Sequence, residues 1–474
     1  MASDLQTTIA TLRGGVTECR FENVRYRQDQ FHALHASLRE NSNAICEAIA
    51  KDSACTTAEA ETEFYLTMDA VQKSYDSLKF KKLLEQEYSV TKEKDNTGRR
   101  AGVGLIAIKP QRHSRFYSVV SPVAAALAAG NSILLELDKS LPSLDTLLEN
   151  IISPGMDKDT FSITSSKVES RYFSQIDLLV DQTTTFKEPA SFHSATEIRT
   201  LAVVDRTGVV ELAAKTITTS RLAPNSTSPY SPDLVIVNEY IKDIFSSACL
   251  QHASSLGQPA RIRNATAEEK KLQTTLQQAE SKGQVKIHRT SGTELSVVDL
   301  LDPSSPLATT KVVGPYIFIL SSTGLVDTVT TQRSSPTFLA TYLFASPASA
   351  KFLSEQISSH ASYINQIPAQ VLIGPPAPTF SPHALHPRYT PEMFSTPRPQ
   401  FITAPPSLPS SIEMKKAATK ELKPTGQRPG HAIGFFEQGI LIGLGSAAVV
   451  VLPALGYGAW WVGRKGWVVL RGLR

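Results

Sequence analysis

Between Glu437 and Arg464 the chain runs for about 26 residues without a charge, rich in Ile, Leu, Val, Ala and Gly, and about 20 apolar residues suffice to cross a bilayer as a helix. That stretch divides the chain into a body and one membrane span, expected at Ile440 to Val462. Trp460, Trp461 and Trp467 gather at its far end with Arg464, Lys465, Arg471 and Arg474 behind them, as an aromatic belt and a charged stop do. A buried C-terminal helix is the alternative. Lys415, Lys416, Lys420, Lys423 and Arg428 precede the span and nearly balance the basic residues after it, so the charge rule barely orients it. The simplest topology is a tail anchor with the body in the cytosol, and Pro453 permits a kinked or re-entrant helix.

The 48 Lys and Arg against 44 Asp and Glu leave a net charge of +4, which gives no electrostatic case for a nucleic-acid binder. With 41% hydrophobic residues over 474 positions, the body exceeds what one core usually holds, so two domains are expected. The four cysteines, Cys19, Cys46, Cys55 and Cys249, fall at irregular spacings without a C-x-x-C pair, and neither a disulfide framework nor a zinc site is indicated. They suit a reducing compartment. The first fifteen residues contain Asp4 and no apolar run of signal-peptide length, so secretion is not expected.

Within the body, apolar residues recur at helical spacing from Asp29 to Asp52, and a second helical stretch is expected from about Thr57 to Leu84. A strand at Gly102 to Ile108, an Ala-rich helix at Pro122 to Ala129 and a strand at Ser132 to Leu135 follow. Alternation resumes with strands at Ile176 to Val180, Thr200 to Val204, Leu234 to Val237, Tyr316 to Leu320 and Leu339 to Phe344, and helices at Val209 to Ser220 and Glu239 to Gln251. Such alternation predicts an α/β fold with a parallel sheet. About a dozen of the 29 prolines fall between Pro368 and Pro409, which forbids continuous helix or central strand there. Ser411 to Gly430 is lysine-rich and is expected to be a mobile tether.

Three phrases in order, Leu38-Arg39-Glu40-Asn41, Ala48-Ile-Ala-Lys-Asp52 and Pro122-Val-Ala-Ala-Ala-Leu-Ala-Ala-Gly-Asn131, resemble the aldehyde dehydrogenases. Leu201-Ala-Val-Val-Asp205, Glu211-Leu-Ala-Ala-Lys215 and Ser231-Pro-Asp-Leu-Val-Ile-Val-Asn-Glu239 resemble the family's stretch around its nucleophile. Gly314-Pro315 sits where the family has Glu-x-Phe-Gly-Pro, and His386-Pro-Arg-Tyr-Thr-Pro-Glu-Met-Phe-Ser395 resembles the segment that closes the active site in the class 3 branch. The likeness runs from about Leu12 to Phe401, and the short N-terminus and C-terminal membrane helix resemble the fatty aldehyde dehydrogenases. It implies a Rossmann-like cofactor domain, a catalytic-type domain, an NAD or NADP cofactor and a dimer. The expected divisions are 1–205 for the dinucleotide-binding type, 206–400 for the catalytic type, 401–436 for a linker, 437–463 for the transmembrane helix and 464–474 for a basic tail.

The family's chemistry needs a thiolate nucleophile, an oxyanion-stabilising amide, a general base and a dinucleotide site. Counting from Pro232-Asp233, the nucleophile position is Pro229, within Asn225-Ser-Thr-Ser-Pro229, and no cysteine lies between Cys55 and Cys249. Proline has neither a nucleophile nor an N–H. Ser226, Thr227 and Ser228 are nearby hydroxyls, poor nucleophiles without a base. The oxyanion asparagine becomes His113, whose ordinary reading is an exposed loop imidazole. The general-base glutamate has Glu197 as its nearest counterpart, across a two-residue gap, and Ala195 without the gap; a surface carboxylate is the plainer reading of Glu197.

At the cofactor site, Glu136 replaces the ribose-binding lysine and reverses its charge. Asp181-Gln-Thr-Thr-Thr-Phe186 stands where a Gly-Ser-x-x-x-Gly turn should cradle the pyrophosphate, and Asp181 would repel it. Lys311 replaces the ribose-binding glutamate before Gly314-Pro315. His32 with His35 and His383 with His386 each read His-Ala-Leu-His, but no further ligand converges on either, and no metal is expected. The combined expectation is an aldehyde dehydrogenase-like protein without the family's chemistry, a binding or scaffold component on an endomembrane such as the endoplasmic reticulum. Its expected partners are its own copy or an active relative. An NAD(P)-dependent oxidation of long-chain aldehydes by an atypical site is the alternative.

Overall fold

The structure, a computed structural model, describes residues 2–183, 191–194, 197–222, 226–256, 266–378, 385–404, 406–423, 426 and 433–471. It separates into two compact units, Met1–Ala404 and Pro405–Arg474.

The first unit opens with helices α1 (Ala2–Thr17), α2 (Val24–Glu40), α3 (Ser42–Ser53), α4 (Thr57–Asp76) and α5 (Phe80–Glu87), then a short strand β1 (Arg100–Gly102). The periodic stretch from Asp29 to Asp52 is two helices rather than one. The Asn41 side chain donates back to the Ser37 carbonyl at 2.8 Å and closes α2, competing with the backbone ladder as Asn does. The stretch expected from Thr57 to Leu84 likewise breaks between Asp76 and Phe80, and α4 starts at a capping box formed by Thr56 and Glu59.

Strands β2 (Leu105–Lys109), β3 (Ser132–Glu136), β4 (Phe161–Thr164), β5 (Leu178–Asp181) and β6 (Ser191–His193) form an all-parallel sheet in the order β4-β3-β2-β5-β6. Helices α6 (Arg115–Ala129) and α7 (Pro142–Ile152) make the crossovers from β2 to β3 and from β3 to β4. Every residue of β2 is buried, which explains why it reads as an unbroken apolar run. The order reverses between β2 and β5, and that topological switch point is where open α/β sheets bind ligands.

Helix α6 tolerates Pro122 in its interior and ends at Gly130, whose φ of 88° is a left-handed cap that favours glycine. Asn131 then ties three segments together. Its Nδ2 donates to the carbonyls of Ala126 (2.9 Å) and Phe394 (3.0 Å), and its Oδ1 accepts from the Gly104 N–H (3.0 Å). The Ala-rich phrase ending Gly-Asn is thus a helix-and-cap device, not a chemical one.

The second sheet takes β7 (Thr200–Val204), β8 (Leu234–Asn238), β9 (Val285–Arg289), β10 (Ser296–Leu300), β11 (Tyr316–Ser322), β12 (Ala340–Phe344) and β13 (Ser362–Ile364). Their order is β13-β12-β7-β8-β11-β10-β9, parallel except for the antiparallel β9–β10 edge. Helices α8 (Val210–Leu222) and α9 (Lys242–Ser255) pack on the face carrying Ala202, Val204, Val235 and Val237. Helices α10 (Ala267–Ser281) and α12 (Pro347–Gln356), with α11 (Leu325–Gln332) between β11 and β12, belong to the face carrying Leu201, Val203, Leu234 and Ile236. The two sets alternate along each strand, as a sheet buried on both faces requires.

After helix α13 (Ala369–Leu372) the chain returns to the first sheet, where Tyr389 and Phe394 are buried in its core and β14 (Ser395–Pro397) pairs antiparallel with β1. The expected division at residue 205 is therefore corrected. β7 already belongs to the second sheet, so the change of sheet falls between His193 and Thr200, and the end of the 206–400 segment belongs to the first sheet.

The second unit contains α14 (Ser411–Ala418) and α15 (Phe435–Arg471). The stretch expected as a tether thus includes a helix, opened by a capping box of Ser410 and Glu413, while Arg428 lies outside the described residues. Helix α15 runs on through Pro453 without a break, and Phe435–Trp461, which contains an 18-residue stretch of mean hydropathy 2.1, is long and apolar enough to cross a membrane. It contains most of the expected span, and Arg474 lies outside the described residues.

Replacing Asn131 by Ala leaves the buried Gly104 N–H and two carbonyls without this partner, so Asn131→Ala is expected to cost about 2 kcal/mol or more, read as a lowered midpoint in urea unfolding.

Candidate functional site

A cavity of about 1090 Å³ gathers four of the six positions singled out in the sequence, His113, Glu197, Pro229 and Lys311. It is walled by the α3–α4 connection, the loop between β2 and α6, residues 226–229, the start of α10 and residues 310–313. Glu136 and Asp181 are not among its lining residues; they sit at the carboxyl ends of β3 and β5.

Pro229 is buried, and its carbonyl accepts from Lys311 Nζ at 2.7 Å. The same ammonium donates to the Ile198 carbonyl (3.0 Å) and to Asp233 Oδ2 (2.9 Å). All three of its protons are committed within the protein, so Lys311, half-buried in the cavity wall, acts as an internal structural cation. Burial draws its pKa down while Asp233 and Glu197 oppose that shift. Asp233 also neighbours Arg221 at 3.9 Å, whose guanidinium donates to the Val312 carbonyl (3.0 Å) and to that of Pro232. Glu197 is exposed and lines the cavity, and Ala195 lies outside the described residues.

His113 is not an exposed loop imidazole. Its Nε2 donates to the Leu372 carbonyl at 2.9 Å, which fixes the tautomer, and its Nδ1 accepts from the Thr227 hydroxyl at 2.9 Å. Burial pulls its pKa down to about 4, so the ring is neutral at physiological pH. The Thr227 hydroxyl therefore does have a base beside it, brought from a loop more than a hundred residues away in sequence.

Glu63 was not singled out in the sequence, yet it lines the same cavity. It points from α4 at the first turn of α6, where its carboxylate accepts from the Tyr117 N–H (3.2 Å) and from that of Phe116. Burial pushes its pKa up to about 7 against those two donors. The available signal was a carboxylate on the buried stripe Ala60, Phe64, Thr67, Ala70 and Val71 of α4. Among the cysteines, Cys55 lines the cavity, while Cys249 is buried on α9 with its thiol pushed up to about 12.

The switch point of the first sheet is filled. Lys109 and Asp181, at the ends of β2 and β5, stand 3.7 Å apart and are both buried. Gln182, fully buried, accepts from the Gln111 N–H (3.1 Å) and donates to the Ser118 carbonyl (3.0 Å). The other Asp181 oxygen takes the N–H (2.8 Å) and hydroxyl (2.7 Å) of Thr183. Glu136 is half-buried, with its carboxylate accepting from the Val168 N–H at 2.8 Å and its pKa raised by burial. The link from β5 to β6 is nine residues, 182–190, whereas a parallel crossover usually takes a dozen or more; Thr184 to Phe186 lie outside the described residues.

Among the described residues no three His, Cys, Asp or Glu side chains are grouped to hold a metal. His32 meets Tyr75 at 3.4 Å, and His386 meets Asp69 (2.8 Å) and Tyr117 (3.1 Å); His383 lies outside the described residues.

AldH of Staphylococcus aureus, solved in a substrate-bound state, is similar over 88% of this chain and 99% of its own, with a TM-score of 0.69 at 14% identity. The fold is that of the aldehyde dehydrogenases. The NAD-dependent benzaldehyde dehydrogenase of Corynebacterium glutamicum matches over 84% of this chain and 88% of its own, with a TM-score of 0.64 at 14% identity. The glyceraldehyde-3-phosphate dehydrogenase GapN of Methanocaldococcus jannaschii, complexed with NADP, matches over 84% of this chain and 94% of its own, with a TM-score of 0.62 at 13% identity. No known family matches the sequence itself, and no curated protein does.

Among the described residues, those at the place this fold offers a dinucleotide do not fit one. A pyrophosphate needs N–H groups and an open approach, whereas the crevice between β2 and β5 holds an internal ion pair, a buried glutamine and a carboxylate already saturated by Thr183.

The Glu63 shift gives a stability test. The folded protein keeps a proton on Glu63 that the unfolded chain releases between its ordinary pKa of 4.5 and about 7, so this contribution is full below pH 4.5 and is lost as the pH rises through that window. Glu63→Gln is expected to leave stability at pH 5 nearly unchanged and to raise it at pH 8 by up to about 3 kcal/mol, measured by urea unfolding at both pH values.

Proposed function

We propose that this chain is an aldehyde dehydrogenase-fold protein that does not oxidise aldehydes, related to the class 3 and fatty aldehyde branch and serving as a binding or scaffold component on a membrane. The observation that carries the reading is Pro229, placed in the wall of the cavity where the resemblance puts the nucleophilic cysteine. The filled β2–β5 crevice supports it independently, because hydride transfer needs an acceptor that this crevice does not fit. Retention of the Asn131 and Asp233 devices beside these losses argues for a fold kept while its reaction is not. The contrary reading, NAD(P)-dependent oxidation of long-chain aldehydes by an atypical site, rests on the cofactors named for the structural neighbours.

The apolar helix supports anchorage through Ile440 to Val462 on an endomembrane such as the endoplasmic reticulum, with the body cytosolic. The proposed setting is lipid or natural-product metabolism, and the proposed partners are a second copy or an active relative.

Full-length protein in detergent, given long-chain aldehydes with NAD or NADP, is expected to form no reduced cofactor above a no-protein control, while an active aldehyde dehydrogenase assayed beside it does; turnover would overturn the reading. The full chain is expected to stay in carbonate-washed membranes and a chain ending at residue 434 to leave them.

A further inference from the structure

The cavity, whose wall has Pro229 where the resemblance puts a cysteine, contains a hydroxyl and a base assembled from elements distant in sequence. Thr227 is exposed to the cavity, and its hydroxyl donates to His113 Nδ1 at 2.9 Å. His113 is held from its other side, with Nε2 donating to the Leu372 carbonyl at 2.9 Å and lying 3.2 Å from the Ser114 hydroxyl. That carbonyl also accepts from the Ser228 hydroxyl at 2.8 Å, so Leu372 fixes both the imidazole and the residue next to Thr227. Lys311 fixes the following residue through the Pro229 carbonyl. A hydroxyl within hydrogen-bond reach of an imidazole, which is oriented in turn by a third group, is the arrangement that activates Ser and Thr nucleophiles.

We propose that Thr227 and His113 form a nucleophile–base pair for acyl transfer from carboxylic esters, a reaction needing neither cysteine nor dinucleotide. Leu372 acts as a positioning residue through its carbonyl. In the first half, Thr227 Oγ1 attacks the ester carbonyl and its proton passes to His113 Nδ1. The tetrahedral intermediate collapses, the bond to the alkoxy oxygen breaks, and the departing alcohol takes the proton back from His113. In the second half, water attacks the acyl–Thr227 ester with His113 again accepting the proton, and the carboxylic acid and free Thr227 are regenerated. Water is the only co-reactant.

The walls indicate the kind of ester. Leu141, Leu272, Leu307, Val312 and Ile373 supply apolar surface, and the charged lining residues carry both signs, as with Lys51 beside Asp52 and Lys271 near Glu268. Such a cavity suits an uncharged ester with an apolar acyl chain. A neutral imidazole is the form that accepts a proton, and burial keeps His113 in that form well below neutral pH.

The test uses the full chain in detergent, a fluorophosphonate probe and 4-nitrophenyl acyl esters. The expected result is covalent labelling at Thr227, located by peptide mass spectrometry, with ester hydrolysis above the rate of heat-denatured protein. Thr227→Val is expected to abolish the labelling and lower hydrolysis at least tenfold, whereas Thr227→Ser retains or increases both. His113→Gln should lower both at least tenfold, with circular dichroism and a thermal melt showing that it is folded. Thr227 is exposed, so Thr227→Val gives a reading even if the histidine variant does not fold. No labelling of folded wild-type protein overturns the proposal, as does labelling confined to Ser226 or Ser228. Hydrolysis unchanged in Thr227→Val and abolished by iodoacetamide would place the nucleophile at a cysteine such as Cys55 and overturn it too. The aldehyde-oxidation assay is independent of all these outcomes, so the two readings fail separately.

Discussion

One buried carboxylate organises the cavity. Asp233 accepts from the Thr200 N–H (2.7 Å) and hydroxyl (3.1 Å), from Lys311 Nζ (2.9 Å) and from the Val312 N–H (3.0 Å). It thereby joins the start of β7, the start of β8 and the segment before β11. The two cations beside it, Arg221 and Lys311, are themselves bound to the carbonyls of Pro232, Pro229, Ile198 and Val312. A carboxylate with these partners meets the requirement that buried charge be both paired and hydrogen-bonded. Because Pro229 and Val312 belong to the cavity wall, this cluster helps to fix the wall next to Thr227.

The same logic separates the two sites the fold provides. At the β2–β5 switch point, polar groups satisfy one another, and what is satisfied internally is not available to a ligand. In the cavity, Glu197 and Thr227 are exposed, and Glu63 and His113 in its wall are shifted in opposite directions by the same cause, burial. Groups pushed apart in this way cluster where proteins do chemistry. One recess is thus filled by its own side chains and the other is open.

Most of the architecture was legible because buried parallel strands are continuous apolar runs and α6 ends in a Gly-Asn cap. Helix breaks at Asn41 and after Asp76 were not, since side-chain competition with the backbone leaves the apolar period intact. The assignment of β7 failed for another reason: one parallel strand looks like another, and only pairing with β8 and β12 places it in the second sheet. At the site, the lack of any cysteine between Cys55 and Cys249 could be read from order alone. The roles of Lys311, His113 and Glu63 could not, because each depends on a partner 54 to 259 residues away. Lys311 read in sequence as lost recognition, yet in three dimensions its ammonium anchors two carbonyls and Asp233.

In this aldehyde dehydrogenase fold the described residues between β2 and β5 satisfy one another, while the cavity lined by Thr227 stands open. Calorimetric titration of NAD and of NADP into the full chain in detergent tests this most directly, run beside an active aldehyde dehydrogenase and with a thermal melt showing the protein to be folded. The account predicts no saturable heat from either cofactor where the active enzyme gives a normal isotherm. Saturable binding at physiological cofactor concentrations, weakened by substitutions at Lys109 or Gln182, would contradict it.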